Sequence, residues 1–510
     1  MKKKQSVFIA ILMLAIMLIS LYGCNVADTS PSAASDMTTQ QLPSADPADL
    51  YNQAADEIRL ASDLSVSIVH KVMLTRNGQS FTSDSTQTLS YTGRGSDQML
   101  AQCHEKLTVG DHSIEITDHY GSSNGYTSFD GIGFSSEMSQ EDFLARYLSA
   151  VLLDADLYGA IDVEAVDGKT MLIFSAATAP ESWACAPVYQ INHASGAVTL
   201  DSNGHLEGCT YTFYGEHEDV AIEVIANVTV NTSSITPIDL PGNQADYTPI
   251  SYLDGPKLLE KATGYLLQGN SVTAINTQEI QSQAFMLSRT LTTQLDMYQD
   301  GNSHNSRRST TVISSNIGPE ETAQQYQQEE VYKGGKYVLI ADGQAPKNDR
   351  TVTAESMHTY CQDLLVSTIL MPQYITDSKY TEDNGQVRIH YTANEALGNI
   401  LAEQASDSLY DDPGLLNHLA SKYETTSLEA YLIIDSVTGL PIASGISYSG
   451  MHTIEDFAYS LVSKQDQTYT LGSETAKDTI DALSFDAVDP SQPTATTGTE
   501  ETPSETAPNT

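Results

Sequence analysis

The sequence predicts an α+β protein made of two tandem copies of one unit, a curved antiparallel β-sheet covered by helices. Three observations carry this reading. Polar runs rich in Thr and Tyr alternate with apolar residues, the pattern of strands with one wet face, and Tyr outnumbers Phe 27 to 10. Hydrophobic residues make up 40% of the 510, enough to fill real cores. The same order of hairpins and helices also runs twice along the chain.

Residues 1–23 read as an export signal. Lys2, Lys3 and Lys4 form a basic start, and residues 7–21 are apolar except for Ser20. That run falls short of the about 20 residues that span a bilayer and fits a signal-peptide core. Leu21, Tyr22, Gly23 and Cys24 follow, a stretch that resembles the lipobox of bacterial lipoproteins. The resemblance implies cleavage before Cys24 and lipidation of its thiol. The mature protein would then be tethered, extracytoplasmic, on the outer face of the bacterial cytoplasmic membrane. Two or more acyl chains anchor stably where one is marginal. Residues 24–45, rich in Ser, Thr, Asp and Pro, read as a flexible tether. Residues 487–510 read as an acidic Thr-Pro tail too polar to bury a core.

The first copy is expected over residues 46–236. Asp46 and Pro47 signal a helix start. Residues 64–95 read as a hairpin closed by Asn77-Gly78, a dipeptide suited to the positive φ of tight turns. Residues 103–118 continue the meander. Leu144, Tyr147, Leu148 and Val151 then form a helical stripe, with Ser139 and Asp142 as its capping pair. A strand over 169–176 follows Asp167-Gly168, and a last hairpin turns near Gly196. A linker is expected over 237–253, where three prolines fall. The second copy is expected over 254–486. It opens at Asp254-Gly255-Pro256. Residues 287–318 overlay 64–95 without a gap, and 327–342 overlay 103–118. Met357, Tyr360, Cys361 and Leu364 repeat the stripe behind Thr353. Residues 269–284 are read as an extra segment, and about 396–423 as a helical insertion.

This layout resembles the lipoprotein-carrier fold of the LolA type and of the LprG and LppX lipoproteins, half-open barrels with helices over the concave side. The resemblance implies a cavity for acyl chains between sheet and helices. Its lining would be Ile68, Val72, Leu74, Ile114, Ile116, Leu144 and Leu148 in the first copy. In the second it would be Leu291, Leu295, Val338, Ile340 and Met357.

Other chemistry finds little support. Asp and Glu outnumber Lys and Arg 66 to 24, a net charge of −42 that argues against nucleic acid as a partner. Gly121-Ser122-Ser123-Asn124-Gly125 fits the spacing of a nucleophile elbow but lacks its strand-to-helix setting, so it reads as a hairpin loop. His217-Glu218-Asp219 reads as a surface charge run. No metal spacing and no cofactor fingerprint is present, so no metal, no cofactor and no catalysis are expected. Cys361 reads as a core thiol. Cys185 and Cys209 would face each other across the last hairpin if its turn lies near Gly196, which makes a cross-strand disulfide the expectation.

The sequence therefore describes a membrane-anchored, non-catalytic binding module. Two partners stay open: a hydrophobic ligand such as a lipid, or another envelope protein met by a sensor. Replacing Cys24 with Ser is expected to abolish incorporation of a labelled fatty acid and partitioning into a detergent phase. Acylation that survives the substitution would refute the anchor.

Overall fold

The computed structural model describes residues 46–148, 161–176, 190–231, 235–301, 303–317, 323–341, 352–409 and 421–483. Cys24, the tether, Cys185 and the tail lie outside the described residues. Two large open β-sheets, of 12 and 10 strands, carry six helices among those residues. No described helix is long and apolar enough to cross a membrane.

The first sheet is drawn mainly from residues 64–231. Its strands are β1 (Leu64–Arg76), β2 (Gln79–Thr92), β3 (Leu100–Val109), β4 (His112–Gly121), β5 (Asn124–Phe129) and β6 (Ile132–Glu137), then β7 (Ile161–Val166), β8 (Lys169–Ala176), β9 (Gln190–Leu200), β10 (Leu206–His217) and β11 (Val220–Asn231). Helix α1 (Pro47–Leu60) precedes β1, and α2 (Gln140–Leu148) follows β6. The caps form as the sequence indicates. Asp46 accepts from the Ala48 amide, and Ser139 accepts from the Asp142 amide. Asn77-Gly78 turns β1 into β2 with both residues at positive φ.

The predicted linker instead packs on this sheet. Thr248–Pro249 forms β12, parallel to β6. Leu240, Leu253 and Tyr247 sit over Gly121, Gly125 and Gly133, where an added Cβ would come within about 3 Å of them. The two glycines that mimic a nucleophile elbow are thus seats for side chains. Ser122 and Ser123 make the tight turn between them at positive φ.

The second sheet comprises β13 (Ser271–Ser282), β14 (Leu287–Asp300), β15 (Ser303–Asn316), β16 (Ala323–Lys333) and β17 (Lys336–Ala341), then β18 (Ile375–Asp383), β19 (Gln386–Ala393), β20 (Ser421–Asp435), β21 (Pro441–Ile454) and β22 (Phe457–Leu471). Its helices are α3 (Gly255–Leu267), α4 (Ala354–Val366), α5 (Glu395–Asp407) and α6 (Glu474–Asp481). Thr353 and Ser356 form a capping box on α4. Helix α5 falls in the predicted insertion.

Both sheets share one strand order. The first reads β5-β4-β3-β2-β1-β11-β10-β9-β8-β7 beyond β6, and the second reads β17-β16-β15-β14-β13-β22-β21-β20-β19-β18. This repeat corrects the register read from sequence. By position β13 matches β1 and β14 matches β2, so residues 269–284 contain the opening strand rather than an extra segment. The surplus element is β6, at the far end of the first meander. A slip of one whole strand kept the side-chain alternation of the opening hairpin intact, which is why parity could not detect it there.

The last hairpin of the first sheet is corrected too. Gly196 lies inside β9, and the turn comes at residues 201–205, where the Asp201 amide donates to the His205 carbonyl. Gly196 is there for packing: an added Cβ would meet the Phe174 ring and the Thr210 carbonyl at 2.5 Å. The residues beside Cys209 are consequently Val198 and Val228, and the cross-strand place expected for Cys185 belongs to Val198.

Helix α3 bridges the two sheets. Gly264 lies against Val109 of β3, and an Ala Cβ there would stand 2.5 Å from the Val109 Cβ. Gly264→Ala is expected to destabilise by roughly 1–3 kcal/mol through overpacking, outweighing the about 1 kcal/mol of helix propensity it gains. A lowered thermal midpoint checks this, and a raised one would show that the contact yields.

Candidate binding site: a charged groove on the second sheet

The face of the first sheet that meets the helices holds carboxylates among its apolar residues. Ile68, Leu74, Ile114, Ile116 and Leu144 are buried there, with Val72 and Leu148 packed at the margin. Glu105 on β3 and Asp118 on β4 point to the same side and are almost wholly buried. Each is held by polar groups from other elements. Glu105 accepts from Ser85 (2.7 Å), Gln87 (3.1 Å) and Lys257 of α3. Asp118 accepts from Thr127 and from the Tyr147 hydroxyl of α2 (2.5 Å), with Arg146 at 3.9 Å. Arg146 also pairs with Asp254, the residue before α3. At the margin, His112 of β4 meets Glu260 of α3 at 2.7 Å, and that hydrogen bond raises the imidazole pKa.

Burial alone would raise the Glu105 pKa. Lys257, with the Ser85 and Gln87 hydrogen bonds, reverses this and holds it below the usual carboxylate range. The Lys257 ammonium is raised in turn, the Glu105 charge overcoming burial. The cavity expected here is therefore occupied by side chains and an ion cluster.

In the second sheet, Leu295 and Met357 are buried and Leu291 lies at the core margin. Val338 and Ile340 depart from expectation. They pair with Val331 and Glu329, whereas Leu339 pairs with Glu330, the residue that meets Tyr360 of α4. Val338 and Ile340 thus lie on the face away from α4, and Ile340 is 37% exposed. The strand parity was read one residue out, and a six-residue strand offers little to fix it.

An open groove of about 580 Å³ lies elsewhere, on the face of β18–β22 opposite α3. Val387, Ile389 and Tyr391 turn inward, where the Tyr391 hydroxyl donates to the Gly255 carbonyl. Arg388, His390 and Thr392 therefore turn outward. Register sets the groove in rows across five strands. One row holds Lys379, His390, Tyr431, Gly445 and Asp466. The next holds Asp377, Thr392, Glu429, Ser447 and Lys464.

The Tyr431 ring fits only because Gly445 opposes it, since an added Cβ would meet the ring at 2.5 Å. Its hydroxyl donates to Asp466 (2.8 Å), and the Arg388 guanidinium lies over the ring, 4.3 Å from its centroid. Burial, then the Asp466 hydrogen bond and charge, raise the Tyr431 pKa. The His390 pKa is lowered, first by burial and then by the Arg388 charge, so this imidazole is neutral near pH 7. The groove offers donors, acceptors and both signs of charge.

None of these groove residues stands out in the sequence. The turn at Asn384-Gly385 and the polar alternation of residues 386–393 indicate an outward polar face. A row assembled from five strands has no linear motif.

No family model matches the chain, and no curated protein matches it. Among solved structures, LprF from Mycobacterium bovis is 12% identical, with a TM-score of 0.22 over 38% of this chain and 96% of that one. A DUF1329 family protein from Desulfovibrio piger is 13% identical, with a TM-score of 0.16 over 36% of this chain and 91% of that one. OccK2 (OpdF) from Pseudomonas aeruginosa, in complex with glucuronate, is 6% identical, with a TM-score of 0.10 over 81% and 98%. Scores this low carry no argument about function.

The ion cluster sets a stability test. Lys257→Met leaves Glu105 buried without its cation and is expected to cost about 3–5 kcal/mol, while adding Glu105→Gln restores much of the loss. The wild-type Glu105 pKa is depressed on folding, so its contribution is complete above the usual carboxylate range and fades as pH falls through the folded value. Urea titrations of wild type, single and double variants between pH 3 and 7 measure both effects. Additive single and double losses would show that the pair does not interact.

Proposed function

We propose that the chain is a lipid-anchored, extracytoplasmic, non-catalytic binding protein made of two half-barrel units. The first unit and its ion cluster serve as a rigid support, and the polar groove of the second meets the ligand. The observation that carries this reading is the contrast between the two places. The residues expected to line an acyl cavity are packed or turned away, and none lines the groove. The groove keeps open volume beside hydrogen-bonding and charged groups that have no structural task in the core. Anchoring through Cys24 follows from the lipobox, and binding partners come from outside the cytoplasm.

Of the two partners the sequence leaves open, the hydrophobic one finds only Tyr391, Ala430, Tyr431 and Ile446 in a lining that is otherwise charged or polar. The protein is expected to leave the membrane without stoichiometric lipid beyond its own anchor. Native mass spectrometry of the full-length protein released from detergent micelles tests this. A retained acyl lipid at one copy per chain would restore the carrier reading and remove this one.

A further inference from the structure

The charges of the groove are not equally satisfied. Lys379 pairs with Asp377 at 3.6 Å, and Lys464 pairs with Asp466, each along its own strand. Arg388 and Glu429 remain, one of each sign, and neither forms an ion pair among the described residues. Among the described residues Arg59, Arg76, Arg146, Arg307 and Arg308 have carboxylate partners, and Arg94, like Arg388, forms no ion pair. An exposed charge is ordinarily just solvated. Arg388 differs because Tyr431 fixes its guanidinium, and Gly445 fixes Tyr431.

The spacing of the two groups is also defined. Arg388 pairs with Ile433, its guanidinium reaches back over the Tyr431 ring, and Glu429 follows Tyr431 two residues away on the same face of β20. At roughly 3.4 Å per residue, Tyr431, which carries the guanidinium, and Glu429 stand about 7 Å apart along the strand. A dipeptide, at roughly 3.3–3.6 Å per residue, spans the same length. Thr392 and Ser447 flank Glu429 on its row and can hydrogen-bond a peptide group or an ammonium.

We infer that this groove binds a small zwitterion, a free dipeptide or similarly short peptide, with its carboxylate on Arg388 and its ammonium on Glu429. The inference rests on the groove being the ligand site proposed above. A guanidinium pairs a carboxylate through two parallel hydrogen bonds, and a carboxylate accepts from an ammonium. His390, neutral and opposite Tyr431, supplies one further donor or acceptor.

The experiment uses the full-length protein in detergent and L-alanyl-L-alanine as the probe. Calorimetry measures affinity, and phenylglyoxal modification of Arg388, followed by peptide mass spectrometry, reports whether the groove is occupied. Dialanine is expected to bind and protect Arg388. Its N-acetyl and C-amide forms, and the variants Arg388→Gln and Glu429→Gln, are each expected to bind about tenfold more weakly or worse, the scale of a lost charged hydrogen bond. Both side chains are exposed, and unchanged melting of the variants confirms an intact fold. Blocked peptides that bind as well as the free one would overturn the zwitterion. So would protection of Arg388 by inorganic phosphate but not by dialanine, although the groove would then remain the ligand site. Protection by neither probe would overturn the inference and the groove reading together.

Discussion

Two buried carboxylates govern how this molecule is put together. Glu105 and Asp118 lie on the inward face of the first sheet, where an unpaired charge would be prohibitively costly. Their own sheet supplies only hydroxyls and an amide, from Ser85, Gln87 and Thr127. The cations come from helices: Arg146 from α2, and Lys257 from α3 at the start of the second half. Arg146 is itself held by Asp254, the residue that leads into α3. The first sheet therefore cannot bury its acids without the opening helix of the second half. The two repeats form one body for an electrostatic reason, reinforced by Gly264 against Val109 and by Gln268, which bonds both backbone groups of Thr82.

Local chemistry was legible in the sequence, and long-range register was not. The caps at Asp46, Ser139 and Thr353 and the turns at Asn77-Gly78, Asp167-Gly168 and Asn384-Gly385 appear where short-range rules place them. The shared strand order was visible, but the alignment slipped by one strand because neighbouring strands of a meander share alternation and turn composition. Glycine misled in a specific way. Gly196 reads as a turn, and Gly121 and Gly125 read as a loop or a catalytic motif, yet all three make room for Phe174, Leu240 and Leu253. A glycine that seats a distant side chain looks in one dimension like a glycine that bends the chain.

The buried acids and the groove escaped sequence reading for a related reason. Among 66 acidic residues nothing marks Glu105 or Asp118 as internal, since each sits at an alternating position that an apolar residue could fill. The groove depends on Arg388, Tyr431 and Gly445 being brought together from β19, β20 and β21. The lipoprotein-carrier resemblance rested on element order, and element order says nothing about whether the space between sheet and helix is empty. Here that space holds ion pairs in the first half, and the open volume lies on the other side of the second sheet.

The overall charge bears on what such a groove can hold. A body of net charge −42 surrounds itself with a negative potential that repels anions over about 8–10 Å at physiological salt. An anion approaching Arg388 would meet that field and then the neighbouring Asp377, Glu429 and Asp466. A cation would be drawn to the surface generally, with acidic side chains everywhere to choose from, and would gain little selectivity here. A zwitterion carries no net charge across the field and gains only where opposite charges stand at its own spacing. The Tyr431 ring that holds its guanidinium makes Arg388 the selective element, and Glu429 makes the site indifferent to the long-range repulsion that would turn a simple anion away.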